Sequence, residues 1–356
     1  LSDVLGSYEN SSFYADCSGC YSVGRVAGSK KSWDFFNTNR NAFELDSDKS
    51  NEDSNAEDFK ADENVYAGYL MATVDRGPWR FIPGVRLEMT DMSYSANEVV
   101  FNEDGDYELT RPVSGENDYV HVLPGLNVRY RLSDRSNLRA ALTRSLARPN
   151  YWDIAPYRLV NREDEEIELG NPALDPTTAT NVDVLYEQYF QSIGVLSGGF
   201  FFKQLQDYIY SSVYDVEEGE LDGYEAVQPV NGGDATLWGL EFAFNQQLSF
   251  LPGVLSGLGI YANYTWTDSK ADIIGRGSDN RLPGQAEHTA NFALSYEKYG
   301  FSSRLAWNYF GDYIDEVGEE ASEDRIHDDH LQLDLSAAYQ LTSNAQVFLE
   351  VINLTD

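Results

Sequence analysis

Hydrophobic and polar residues alternate along the segment 119–132, which reads YVHVLPGLNVRYRL. The even-numbered positions from Val120 to Leu132 are apolar or aromatic apart from one proline, and most of the intervening positions are polar. Successive side chains on a β-strand point to opposite faces. The segment is therefore predicted to be a long strand with one apolar face and one mostly polar face.

The same pattern recurs along most of the chain. A short polar turn at 133–137 leads to a second alternating segment, and a long connection begins at Arg148-Pro149. Repeating this unit predicts about twelve strands, at 64–74, 79–92, 119–132, 138–143, 180–190, 195–211, 236–250, 258–267, 287–297, 301–313, 331–340 and 345–351.

The predicted connections alternate strictly between short turns and long loops, with the stretch 93–118 taken as one of the long loops. Many of the strands are much longer than the average of about 5–6 residues in soluble domains. Outer-membrane barrels collect short turns at one rim and long loops at the other. We therefore predict an all-β fold, a transmembrane antiparallel up-and-down β-barrel, rather than a soluble multi-stranded β protein.

The segment 1–63 lacks long alternation and is rich in Ser, Asn, Asp and Gly, so we predict one large loop there, with a short helix possible around Trp33–Phe36. Twelve strands alone would leave unpaired strand edges in lipid, which is costly. We therefore expect a larger barrel. The first residues do not resemble a signal peptide, so we expect that one was removed or that the chain begins partway through a longer protein.

Composition narrows the function further. The formal net charge of −34 argues against nucleic acid as a partner, because the phosphate backbone would be repelled. The chain is 42% hydrophobic and 13% aromatic, with 24 Tyr and 18 Phe, a bias that suits strands and water–lipid interfaces. The sequence has no run of about 18 apolar residues, but barrel strands need only about 9–11 alternating ones.

Cys17-Ser18-Gly19-Cys20 is the only pair of cysteines. Such a spacing is found in redox sites, in halves of zinc sites and in small disulfides. There is no second pair, and the histidines are far away in the sequence. We favour a Cys17–Cys20 disulfide in an extracellular loop, which implies an oxidising compartment.

No arrangement of nucleophile, base and acid typical of an enzyme is found. His121 falls on the polar face of its strand and is interpreted as structural, and the run 327–330 (HDDH) is interpreted as a solvated acidic loop rather than a metal site. Asp104-Gly105-Asp106 lacks the full ligand pattern of a calcium loop. We predict no resident metal, although calcium in the acidic loops is possible.

Several ordered motifs carry a family resemblance. They are 81–88 (FIPGVRLE), 123–127 (LPGLN), 138–140 (LRA), 145–149 (SLARP), 170–176 (GNPALDP) with Asn181, Asp183 and Glu187, 238–241 (WGLE), 263–266 (NYTW), 282–285 (LPGQ) and 353–356 (NLTD). In this order, over residues 64–356, they resemble the C-terminal part of the barrel of TonB-dependent receptors, which are 22-stranded outer-membrane transporters. The resemblance is greatest to a proteobacterial subgroup often linked to oligosaccharide uptake.

The resemblance implies a location in the outer membrane of a Gram-negative bacterium, surrounded by its lipid. It implies active uptake of a small-molecule or oligosaccharide ligand, energised by the TonB complex through a plug domain. The chain shows neither that plug, with its TonB box, nor a final strand ending in an aromatic residue. Residues 1–63 would be a large extracellular loop region, and residues 64–356 the C-terminal part of the barrel.

Two groups of candidate residues follow. Polar side chains that would face the lumen and contact the plug, or merely solvate the lumen, are Arg86, Arg129, Arg131, Arg139, Asp183, Glu187 and Glu241. Outer-loop aromatics that could stack on a sugar, or belong to the aromatic girdle of the membrane interface, are Tyr151, Trp152, Tyr157, Tyr214, Tyr224, Tyr313, Trp307 and Tyr309.

For the ligand, a carbohydrate oligomer is our first candidate and a ferric siderophore the second, while the acidic loops argue against an anionic ligand. A passive porin-type or adhesin-type barrel is the alternative function. A barrel enzyme such as an outer-membrane lipase would need a Ser–His pair at the lipid-facing rim, and none is evident, so we do not expect an enzyme.

Overall fold

A computed structural model describes residues 29–55, 58–101, 107–161, 165–191, 193–217, 219 and 221–355. The chain divides into two compact units, Leu1–Ser54 and Asn55–Asp356. The helices are α1 (Ser29–Thr38), α2 (Ser47–Asn55) and α3 (Tyr151–Ile154), with single 3-10 turns at Arg40–Ala42 and Gly253–Gly257. In the described part of the chain, none of the helices combines the length and the apolar character needed to cross a membrane.

In the described residues of the second unit, twenty strands make up most of the structure. They are β1 (Phe59–Met71), β2 (Val74–Arg76), β3 (Trp79–Phe101), β4 (Tyr107–Ser133), β5 (Ser136–Ala147), β6 (Arg158–Asn161), β7 (Glu166–Leu169), β8 (Thr177–Tyr189), β9 (Gly194–Gln206), β10 (Ile209–Asp215), β11 (Glu225–Asn231), β12 (Ala235–Gln247), β13 (Leu258–Ile273), β14 (Gly277–Asn280), β15 (His288–Lys298), β16 (Phe301–Phe310), β17 (Tyr313–Glu316), β18 (Arg325–His327), β19 (His330–Thr342) and β20 (Ala345–Val351).

In the first unit, α1 contains the Trp33–Phe36 segment, where the sequence allowed a short helix. Its aromatic rings pack together, with Trp33 stacked on Phe36 at 5.6 Å and Phe36 edge-on to Phe43 at 5.2 Å. These contacts bring the chain after the helix back onto α1. Residues 29–38 and 47–55, which the sequence placed in one large loop region, are therefore helical.

The wall of the second unit is one antiparallel sheet. Its strand order is β1-β3-β4-β5-β8-β9-β12-β13-β15-β16-β19-β20, with β2 and β14 pairing at the ends of β3 and β13. Each strand pairs with the next wall strand along the chain, so connections alternate between two rims. The predicted strands all lie within or overlap these twelve, and the predicted up-and-down all-β order is confirmed.

The two rims differ as the sequence predicted. Short turns join the strands at one rim, which we call the short-turn rim. There, Tyr299 and Gly300 close the β15–β16 hairpin with φ of 56° and 75°, the left-handed conformation that suits the twist of a two-residue hairpin. The long connections leave the opposite rim, which we call the long-connection rim. They are 148–176, 207–234, 274–287 and 311–329.

One predicted loop is wrong. Residues 93–101 and 107–118 continue the β3–β4 hairpin, with Ala96 of β3 paired to Phe59 of β1 on one side and to Val113 of β4 on the other. Met92 and Ala96 are buried on one side of this extension. Ser93, Ser95 and Asn97 are polar and the run NEDGD follows at 102–106. These residues favoured a loop over a continued strand.

The two faces of the wall differ in polarity. Large apolar side chains are exposed on one face, which we call the apolar face, including Leu87 (47%), Val122 (53%), Leu142 (51%) and Phe242 (47%). Soluble proteins rarely expose so large an apolar surface. The other side, the polar face, carries Arg86, Arg129 and Glu241 and is the face on which the long connections fold.

Candidate functional site

The long connections form a packed assembly at their rim, which we call the outer cap. A four-stranded sheet with the order β10-β11-β7-β6 combines two connections, and β17 and β18 form a small sheet in a third. Backbone hydrogen bonds join β10 to the residue that follows β17, because the Val213 N–H donates to the Val317 carbonyl (2.8 Å) and the Val317 N–H donates to that of Ser211 (3.0 Å). The cap is therefore one hydrogen-bonded structure.

An apolar core holds three connections together. Tyr208 and Tyr210 stack at 5.5 Å and pack with Ile273 and Val317, which are 2% and 1% exposed. Tyr208, Tyr210 and Val317 come from the connections after β9 and β16, and Ile273 is the last residue of β13. Leu282, from the connection after β13, belongs to the same core. Burying apolar area in this way stabilises the cap as a unit.

The connection 148–176 joins the cap through side-chain hydrogen bonds. The Asn171 amide donates to the Pro229 carbonyl (2.9 Å), and the Gln228 amide donates to that of Gly170 (3.1 Å). Below this seam, Met92 of the wall packs with Ile154 and Leu174. Since Met92 lies on the polar face, the cap covers the rim end of that face.

The aromatic residues predicted for ligand contact differ in their exposure to solvent. The Tyr151 ring is 51% exposed and its hydroxyl donates to Glu63 (3.0 Å). Trp152 and Tyr157 lie 4.2 Å apart and both donate to Glu168, at 3.0 and 2.8 Å. Tyr157 is only 3% exposed, and burial, with the bond to Glu168, raises the pKa of its hydroxyl.

The other predicted aromatics have different surroundings. Tyr214 and Tyr224 pack against the buried cluster of Ile167, Leu221 and Ala226 inside the cap. Tyr313 stacks on His327 at 5.0 Å. Trp307 and Tyr309 lie on the wall, on the same face as Phe292 and Leu331, respectively. Tyr151 thus offers the most exposed ring of the six in the cap; ligand contact by any of them stays a prediction.

The residues predicted to face the lumen share the polar face. The strand register aligns Arg129 with Arg139, Asp183 with Ala141, and Glu241 with Gly199 across neighbouring strands. Arg139 and Glu187 form an ion pair of 2.8 Å. All seven residues, which are Arg86, Arg129, Arg131, Arg139, Asp183, Glu187 and Glu241, therefore lie on one side of the sheet, and their contact with a plug stays a prediction.

Sequence reasoning missed a hub at the base of the cap. The Arg148 guanidinium donates to Glu88, donates to the Thr90 hydroxyl (3.1 Å) and lies 3.2 Å from a Glu63 carboxylate oxygen. It joins the start of a long connection to two wall strands. The 145–149 (SLARP) motif was the available signal, but nothing in it identified the acidic partners.

Candidate metal and redox positions provide no site in the described residues. Among the described parts of the chain, no group of three or more His, Cys, Asp or Glu side chains is arranged to hold a metal. The side chain of His327, in the HDDH run, stacks on Tyr313. Cys17, Cys20 and the Asp104–Asp106 segment lie outside the described residues, so the disulfide and calcium there stay predictions.

The sequence matches the family model of the TonB dependent receptor-like β-barrel over residues 4–354. The chain belongs to the TonB-dependent receptor β-barrel family. This is a family of outer-membrane receptors and transporters rather than of enzymes, so the chain is a multi-pass β-barrel segment of the outer membrane. In a TonB-dependent receptor the apolar face meets lipid and the polar face meets the lumen.

Three solved structures with similar folds are each matched over part of their length. A ferric enterobactin receptor from Pseudomonas aeruginosa, in complex with enterobactin, has 16% identity and a TM-score of 0.54 over 84% of this chain and 49% of its own. The ferric-catecholate import receptor Fiu from E. coli has 15% identity and a TM-score of 0.60, over 84% of this chain and 41% of its own. The copper transporter OprC has 18% identity and a TM-score of 0.60, over 83% of this chain and 42% of its own.

These similarities, at 15–18% identity, establish the fold. The chain spans about 41–49% of the length of these structures. In this chain β1 and β20 end the sheet without pairing to each other in the described residues, so the barrel is not closed by these strands alone.

Proposed function

We propose that the protein carrying this TonB-dependent receptor segment takes up a small solute actively across the outer membrane. Ligand would bind at the outer cap, and the TonB complex would supply energy through a plug domain that contacts the polar face. The match of the family model over residues 4–354 carries this proposal. The packed cap over one end of the polar face supports it, because it forms a structured mouth.

In this barrel we place residues 64–356 in the C-terminal part of the wall and residues 1–63 in a large outer-rim connection. The seven polar residues of the lumen face would then contact the plug. Opposite charges occur together there, as in the Arg139–Glu187 pair, which suits a packed polar interface better than an ion-selective pore.

For the ligand, we propose a metal complex of neutral or positive net charge. The similar structures include a ferric enterobactin receptor, a ferric-catecholate import receptor and a copper transporter. The charge of the cap supports the restriction to neutral or cationic complexes. Its Arg276, Arg281 and Arg325 are each paired with an acidic residue, so they are already neutralised. With 59 acidic against 25 basic residues in the chain, an anionic complex would be repelled.

A carbohydrate oligomer is the second candidate. The exposed Tyr151 ring favours it, because an aromatic face can stack on a sugar. The neighbouring Trp152 and Tyr157 are held by Glu168, and the Tyr157 ring is buried. One free ring provides less stacking surface than the sequence suggested, so we place the metal complex first.

Uptake by cells tests this proposal. A host strain without its own siderophore receptors would express the full-length protein, with and without TonB, and receive radioactive iron bound to a hydroxamate or to a catecholate. We expect TonB-dependent uptake of the neutral or cationic hydroxamate complex. TonB-independent uptake together with ion conductance in a planar bilayer would instead support a passive porin-type barrel, and TonB-dependent uptake of a labelled oligosaccharide would support the second candidate.

A further inference from the structure

Three arginines stand side by side on the polar face of the wall. The strand register pairs Arg80 of β3 with Arg129 of β4, and Arg129 with Arg139 of β5. Directly opposed residues in an antiparallel sheet have Cβ atoms about 4.5–5.5 Å apart, and like charges in such positions destabilise the sheet. The row is unexpected in a chain with only 25 basic residues against 59 acidic ones.

The two outer arginines of this row are neutralised. Arg80 donates to both carboxylate oxygens of Asp75, at 2.6 and 2.9 Å, and Arg139 pairs with Glu187 at 2.8 Å. The central Arg129 has no ion pair with any residue that the structure describes, and its Nε is shielded from solvent without a hydrogen-bond partner. A buried polar group without a partner is costly, and more so when it is charged.

A pocket lies at this row. It has a volume of about 340 Å³ and is lined by all three arginines together with Asn127, Asp183 and the apolar side chains of Ile82 and Leu185. Asp183 is the one acidic group in the lining. The pocket therefore combines a cationic side with an apolar side.

We propose that Arg80, Arg129 and Arg139 form a binding site for an oxyanion, a carboxylate or a phosphate group, with Arg129 as its main contact. A guanidinium presents a planar fork of donors that matches either group with two parallel hydrogen bonds. The apolar lining favours an anion with a small hydrocarbon body. Arg129 lies near the end of β4, so the site is close to the short-turn rim and far from the outer cap. The inference does not depend on uptake or on the identity of the cargo.

The anion could come from two sources. The first is a dissolved anion, either an organic acid or phosphate, and the second is a carboxylate side chain elsewhere in the full-length protein. Thermal unfolding and calorimetric titration of the purified full-length protein, at low salt, distinguish them. The probes are benzoate and inorganic phosphate. The variants are R129Q, Arg129→Lys and the control R304Q, because Arg304 also lies on the polar face, over the Tyr261 ring at 5.7 Å.

If the anion is dissolved, a probe binds to the wild-type protein and to R304Q and raises their Tm, whereas binding to R129Q is at least tenfold weaker. If the anion is internal, neither probe binds, R129Q lowers the Tm, Arg129→Lys restores part of it, and R304Q does not change it. Either result supports the site.

The proposal is overturned if a probe binds equally to the wild-type protein and R129Q. It is also overturned if nothing binds and R129Q leaves the Tm unchanged or raises it, since removing the central charge of an empty row only relieves repulsion. Should R129Q fail to fold, Asn127→Leu would fill the pocket without changing its charge. Loss of probe binding, or a lower Tm, in the Asn127→Leu variant supports the site. Probe binding and a Tm that both equal those of the wild-type protein overturn it.

Discussion

Arg276 and Asp324 join two separate long connections of the outer cap through a two-point ion pair. The guanidinium donates to the carboxylate at 2.5 and 3.0 Å, and the two side chains are 10% and 6% exposed. Arg276 also donates to the Gly318 carbonyl (3.2 Å), and the Gly318 N–H donates to Asp324 (3.1 Å). The connection after β13 is thereby tied to the turn between β17 and β18.

Arg276→Met should loosen the cap strongly. Removing one partner of a buried pair leaves an uncompensated charge, which costs about 3–5 kcal/mol. We expect faster amide hydrogen exchange in 274–287 and 311–329, with the wall unchanged. Lys270→Met is the control, because its pair with Asp279 has side chains that are 65% and 85% exposed, and such exposed pairs contribute little to stability. Equal effects of the two changes would contradict a special role for Arg276.

Two adjacent isoleucines test the apolar core of the cap. Ile273 is 2% exposed and packs with Tyr210 and Val317, whereas Ile274 is 65% exposed. Ile273→Ala should destabilise the cap by about 2–5 kcal/mol, because it leaves a cavity among three connections. Ile274→Ala should change stability by less than about 0.5 kcal/mol. Protease cleavage within the cap, measured as a function of denaturant, compares the two variants, and similar midpoints would show that the core does not hold the connections together.

Gly170 allows a close approach of two chain segments. A Cβ atom at this position would lie 1.7 Å from the Ala155 carbonyl oxygen, whereas one at Gly68 would have no atom within 4 Å. Gly170→Ala must displace backbone, and overpacking of this kind costs about 1–3 kcal/mol or more. We expect lower yields of folded protein in the outer membrane and exposure of 148–176 to protease. Gly68→Ala should behave as wild type, and an undisturbed Gly170→Ala variant would contradict the tight contact.

Glu316 should make the cap sensitive to pH. Burial raises the pKa of its carboxyl, with Arg325 opposing the shift and Asp315 adding to it. A raised pKa in the folded state means that the folded protein holds this proton more tightly than the unfolded chain. The contribution of Glu316 therefore favours folding at low pH and is lost as the pH rises from its ordinary pKa to the raised value.

Glu316→Gln should accordingly stabilise the cap at neutral pH and have little effect near pH 4, where the wild-type carboxyl is protonated as well. Thermal unfolding at the two pH values measures the difference. Glu319→Gln, at an exposed position of the same connection, controls for the change in net charge. A Glu316→Gln variant that is less stable at neutral pH would show that the ion pair with Arg325 outweighs the cost of burial.

Most of the wall could be predicted from the sequence. Alternation of apolar and polar residues is a local property, and the membrane-facing side of a strand must be apolar along its whole length. For this reason the twelve strands, their faces and the two unlike rims followed from segments such as 119–132. The failure at 93–118 has the same origin, because Met92 at the start of this extension packs against Ile154 and Leu174 of the cap, a contact that no local alternation reveals.

The cap and its contacts required the tertiary structure. Arg148 and Glu88 are 60 residues apart, and Arg276 and Asp324 are 48 apart. No local pattern identifies such residues as partners, because the connections contain many acidic residues whose neighbours in the sequence are similar. The same holds for the row of Arg80, Arg129 and Arg139, which only the strand register brings together.

The sequence by itself thus determined the strands, their order and the family of this protein, because each depends on short-range periodicity and on motifs read in order. The tertiary structure alone decided which aromatic rings are exposed, which acids neutralise which arginines, and that the central arginine of the wall row has no ion pair among the described residues. These outcomes depend on distances between residues far apart in the chain, and those distances are set by the packing of the connections over the polar face.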